Sequence, residues 1–158
     1  MRRALPLAAV LAVLLASPAS AGFGVTLGPA PGFGTFVPGE AGTYQATLAA
    51  TVESDEAGAV LTIEDPSTGG VPGHLQHAGG TSLAQPLLAS ATTTAPGATG
   101  APPTPVGAAP TVLATYTAPL ALPDPVVISL RQQIGETEPL RTGTYGKTLV
   151  LTLTSTTP

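Results

Sequence analysis

The chain has 158 residues, nine acidic side chains against five basic ones, and neither cysteine nor tryptophan. That composition excludes disulfides, cysteine-held metal centres and a lipid-modified cysteine. Without clustered Lys and Arg it also argues against nucleic acid as a partner, because phosphate binding is driven by such clusters.

The first element in chain order is a secretory signal peptide at residues 1–21. Arg2 and Arg3 form a positive head, residues 5–15 form an apolar run, and Ala19-Ser20-Ala21 is a small-residue cleavage site. A membrane anchor is the rival reading, but the run is only about half of the ~20 residues a spanning helix needs, and Pro6 and Pro18 flank it. The arginine pair has only Ala4 and Leu5 beside it, so the general secretion route fits better than a twin-arginine route. Cleavage after Ala21 releases a single domain, residues 22–158, that is large enough to bury a core without a staple. All nine carboxylates lie in that domain, against only Arg131, Arg141 and Lys147.

Beyond Ala21 the hydrophobic period is two, not 3.6. A first strand is expected at 23–27. At 43–52, Tyr44, Ala46, Leu48, Ala50 and Val52 alternate with Thr43, Gln45, Thr47 and Thr51, which describes a strand with one buried and one wet face. After a turn at 54–58, residues 59–64 alternate through Leu61 and Ile63, and the Asp-Pro-Ser-Thr-Gly-Gly run at 65–70 ends that strand. A short strand is expected at 74–76. Another is expected at 82–90, kept to an edge or a bulge by Pro86.

Residues 90–110 are rich in Pro, Thr, Ala and Gly and are expected to form a long mobile loop, since they offer little apolar surface to offset ordering entropy. Strands resume at 111–117 and at 125–133, where Val126, Ile128 and Leu130 share a face. A last strand at 145–154 alternates Leu149, Leu151 and Leu153 with threonines. Seven or eight short strands, Gly/Pro turns and no helical period predict an all-β, immunoglobulin-like antiparallel β-sandwich. One internal echo supports strand formation: residues 42–52 and 143–153 both read Gly-Thr-Tyr-x-x-Thr-Leu-x-x-Thr-[Val/Leu]. Each is a glycine turn leading into a strand with Tyr and Leu inward and Thr outward.

The C-terminal stretch 125–158, with its Leu-Arg-Thr-Gly-Thr-Tyr-Gly-Lys-Thr-Leu-Val-Leu-Thr-Leu-Thr-Ser-Thr-Thr-Pro ending, resembles the end of uncharacterised secreted β-sandwich proteins of high-GC Gram-positive bacteria. It is more distantly similar to the terminal strand of WxL-type cell-surface domains. Their Trp-x-Leu motifs are absent, so their proposed cell-wall binding does not carry over. Arg141, in the turn before the last strand, is placed to pair with Glu136 or Glu138 and fix the turn.

Three constellations invite chemistry. Gly80-Thr81-Ser82-Leu83-Ala84 is a near miss to the Gly-x-Ser-x-Gly nucleophile elbow, but no helical segment follows Ser82. His74 and His77, three apart on a strand or loop, are expected to face differently and lack further ligands for a metal site. Glu53, Asp55, Glu56, Glu64 and Asp65 sit at opposite ends of one strand and read as solvated turns more than as a Ca²⁺ site. With so few aromatics, carbohydrate binding is a weak candidate. No catalytic, cofactor-binding or metal-ligating residue is assigned. The reading is a secreted, non-catalytic structural, adhesion or cell-surface binding module with an extracellular or cell-wall partner, no cofactor and no anchor in the mature chain. A polymer subunit assembled by strand pairing is the alternative, with a homo-oligomer left open. A small hydrolase using Ser82 is the least favoured.

Overall fold

The computed structural model describes residues 22–155, so the signal-peptide segment lies outside the described residues. Those residues form an all-β structure of antiparallel strands: β1 (Phe23–Leu27), β2 (Gly42–Ser54), β3 (Ala59–Glu64), β4 (Gln76–His77), β5 (Leu88–Thr92), β6 (Ala98–Gly100), β7 (Thr104–Pro105), β8 (Thr111–Tyr116), β9 (Asp124–Ile134), β10 (Tyr145–Gly146) and β11 (Val150–Ser155). One sheet runs β1-β2-β9-β5-β7, a second runs β11-β3-β8-β6, and β4 with β10 makes a short third ribbon.

The period-two patterns explain why the two large sheets stack. In β2 the side chains of Ala46, Leu48, Ala50 and Val52 are buried, and the residues between them face outward. In β9, Val126, Ile128 and Leu130 do the same, and the register sets Leu48 directly opposite Ile128. The facing sheet contributes Leu61 and Ile63 from β3 and Leu113 and Tyr116 from β8 to the same core. Each large aliphatic side chain withdrawn from water here contributes roughly 1.5–3 kcal/mol. A smaller cluster of Leu75, Leu83 and Ile134 closes the end of the sandwich-like stack where β2 begins and β9 ends.

Three expectations change. Residues 90–110 are built into both sheets. The end of β5 and all of β6 and β7 lie there, β6 edging one sheet and β7 the other, and Ala91 and Val106 are buried. Main-chain pairing substitutes for side-chain burial: Ala91 N–H donates to Ala101 O (3.2 Å), Ala101 N–H to Leu113 O (2.7 Å) and Val106 N–H to Leu87 O (2.9 Å). Small residues permit that approach, and a Cβ on Gly100 would collide with the Ala91 carbonyl.

The strand expected over 82–90 begins only at Leu88, with Ser82 making a single bridge to Gln76, in keeping with the donor missing at Pro86. The strand expected over 145–154 is broken. Its first two residues pair with β4, it leaves the ladder over 147–149, and it resumes against β3.

Candidate functional site

The residues that sequence reasoning singles out serve as joints of the fold. The Ser82 hydroxyl accepts the Val71 N–H at 3.3 Å. The His74 Nδ1 lies 2.7 Å from the Leu83 carbonyl, so Nδ1 carries the proton it donates there. His77 accepts the Gly79 N–H on Nδ1 (3.0 Å) and faces the Thr142 carbonyl with Nε2 (3.1 Å), the arrangement that the tautomer carrying its proton on Nε2 satisfies. The two imidazoles thus turn to different neighbours, and His77 packs on Tyr145 at a ring-centroid distance of 5.1 Å. Among the described residues no three His, Cys, Asp or Glu side chains converge on a common point.

Asp65 does not sit in a solvated turn. It is fully buried at the end of β3, its Oδ2 2.8 Å from the Lys147 ammonium, whose side chain is itself only 4% exposed. The same oxygen accepts the Gly73 N–H at 2.6 Å, and Oδ1 accepts the Ser67 N–H at 3.0 Å. Burial pushes this carboxyl up, but Lys147, Ser67 and Gly73 together outweigh burial and hold it well below the usual carboxylate range. Gly73 has a positive φ of 75°, and a Cβ there would run into the Val106 carbonyl, so only glycine delivers its N–H to the carboxylate.

Asp124 occupies the opposite end of the stack. It accepts from the Thr94 hydroxyl and N–H, the Ala95 N–H and the Tyr116 hydroxyl, and so ties the end of β8 to the start of β9. Burial, then the Asp124 charge and the hydrogen bond to it, push the Tyr116 phenol above its usual range. Both buried carboxylates have every strong partner supplied by the fold, so each acts as a clamp.

The site with room for a ligand is a cleft of about 860 Å³ between the two sheets, on the side where β1 and β11 are the edge strands. Its floor is core surface: Leu48 and Ile128 from one sheet, Ile63 and Leu151 from the other. The segment 28–38 and the turn 140–147 frame it. Four of the chain's six aromatic rings gather under this frame. Phe36 packs edge-on against Tyr44 at 4.8 Å, and lies 5.8 Å from Tyr145 and 6.3 Å from Phe33.

The two tyrosines are the ones in the sequence echo, and each pins one half of the frame. The Tyr44 hydroxyl accepts the Val37 N–H at 2.9 Å, and the Tyr145 hydroxyl accepts the Arg141 N–H at 2.7 Å. The echo therefore supplies matching anchors to the two segments over the cleft. Arg141 is not engaged as the sequence suggested. Glu138 accepts the Ala84 N–H, the ion pair among the described residues is Lys147 with Asp65, and Arg141 lines the cleft instead.

Phe33 and Phe36 are the functional candidates that period counting misses, since they belong to no strand. Their signal in the sequence is two aromatics in a run otherwise made of Gly, Pro and small residues. No family model, curated protein or solved structure matches the chain.

Proposed function

We propose that the protein is a non-catalytic binding module of immunoglobulin-like β-sandwich type, exported from the cytoplasm and working in the extracellular space or at the cell surface. The observation that carries this reading is the inter-sheet cleft, a preformed, mostly apolar concavity of the size small-molecule sites have, about 300–1,000 Å³. The engagement of Ser82, His74 and His77 in main-chain hydrogen bonds supports a role without chemistry. The head, apolar run and small-residue site of residues 1–21 support export.

Two experiments test this. Fractionating the native host into medium, wall, membrane and cytoplasm should place the protein outside the cytoplasm; cytoplasmic protein that retains residues 1–21 would end the export reading. A Ser82→Ala/His74→Ala/His77→Ala variant should keep whatever biological effect the protein has, whereas Leu151→Trp, which fills the cleft, should abolish it; the opposite pattern would favour an enzyme.

One observation favours a second reading, a subunit of a strand-paired polymer. β11 is an edge strand whose six residues include no proline and no charge, the features that usually blunt an edge. Size-exclusion chromatography showing only monomer at high concentration would remove this alternative.

A further inference from the structure

We propose that the cleft takes an anionic single-chain amphiphile, its hydrocarbon tail between the sheets and its acidic head on Arg141. The proposal rests on the reading of the cleft as a binding site and names the ligand class. The tail follows from the walls, where Leu27, Phe33, Phe36, Leu149 and Leu151 present partly exposed apolar surface above the buried Leu48, Ile63 and Ile128, and an apolar ligand covers it without leaving polar groups unpaired.

The sign of the head follows from an asymmetry of charge. Beyond residue 21 the chain carries nine acidic and three basic side chains, yet two of those basic ones, Arg141 and Lys147, line the cleft, and among the described residues no acidic side chain does. Lys147 is already answered by Asp65 at 2.8 Å. Arg141 is exposed, and its own N–H is held by the Tyr145 hydroxyl, so the main chain that carries the guanidinium is fixed at the rim. A planar guanidinium gives a carboxylate or similar acid two parallel hydrogen bonds. Thr142 and Thr144 line the same rim, and a threonine hydroxyl can donate to an anion.

The test is titration calorimetry of the purified full chain with dodecanoate and with dodecylammonium, equal in tail and opposite in head, each below its micelle concentration. The carboxylate is expected to bind at least about tenfold more tightly, the equivalent of one charge-assisted contact. Arg141→Gln, a surface change that leaves the core intact, should erase that preference by weakening the carboxylate and strengthening the ammonium, and Arg141→Glu should invert it. Leu151→Trp should abolish binding of both. Equal affinity for the two heads, or a preference that survives Arg141→Gln, overturns the ligand class and leaves the cleft reading standing. No binding of either amphiphile, or binding untouched by Leu151→Trp, overturns both.

Discussion

Residues 42–52 and 143–153 share one sequence pattern and come to different ends. The first copy opens β2, which pairs with β9 along the whole of the copy and with β1 from Ala50 onward, and it buries Ala46, Leu48, Ala50 and Val52. The second splits into β10 and β11, has among the described residues β3 alone paired with its later half, and leaves Leu149, Leu151 and Leu153 only partly buried. The pairing of the two copies parts at one position. Ala46 in the first copy corresponds to Lys147 in the second, and Lys147 leaves the ladder to reach the buried Asp65. A shared pattern thus makes two strands, but neighbours and one charged residue decide which becomes core and which becomes the wall of a cleft.

Making the copies alike at that position should have the largest effect. Lys147→Ala leaves the Asp65 carboxylate buried without its counter-charge and is expected to cost about 3–5 kcal/mol, since both groups are almost wholly withdrawn from water. Urea unfolding should show it as a large fall in midpoint, and Lys147→Ala/Asp65→Ala should recover part of the loss. A single variant as stable as the parent would mean that the pair does not organise this turn.

Next in size is the contrast between matched leucines. Leu48→Ala should cost about 2–4 kcal/mol, as for a core leucine, and Leu149→Ala about half of that or less, because its neighbourhood is already partly open. Equal losses would indicate that the second copy is as well packed as the first.

The pH response separates the two clamps. Asp65 has a folded value depressed below its ordinary one, so its contribution is complete above about pH 4 and is lost as the pH falls further. Tyr116 has a raised value, so its contribution is complete below about pH 10 and is lost as the pH rises beyond that. Stability curves of Lys147→Ala and Tyr116→Phe should flatten at the acid and the alkaline end respectively. Flattening at the other end in either variant would reverse these assignments.

The smallest effect belongs to the paired anchors. Tyr44→Phe and Tyr145→Phe each remove an acceptor for one exposed N–H, Val37 or Arg141, and each is expected to cost about 1 kcal/mol or less, with faster amide exchange confined to the segment that lost its anchor.

Much of the fold was legible because half-buried strands write their period into the sequence. β3 is found at the residues that alternate, and β2 and β9 extend the expected strands by one or two residues at each end. The segment 90–110 was not legible, because its order comes from main-chain hydrogen bonds to strands distant in sequence, which small residues permit without announcing. Asp65 misled for a related reason: Asp-Pro-Ser-Thr-Gly-Gly is turn chemistry, and the turn is there, but the lysine that buries it lies 82 positions later in the chain. The cleft is a property of the space between sheets, and no local pattern encodes it. Only its two tyrosine anchors were visible, as an echo whose purpose the sequence could not state.

The central claim is that the gap between the sheets beside β11 binds a ligand. Methyl-resolved NMR during titration with dodecanoate tests it most directly. Shifts are expected to concentrate on Leu48, Ile63, Ile128, Leu149 and Leu151, with Leu61 and Leu113, in the same core but away from the cleft lining, staying still. Shifts absent from the first group, or spread evenly over both, would contradict it.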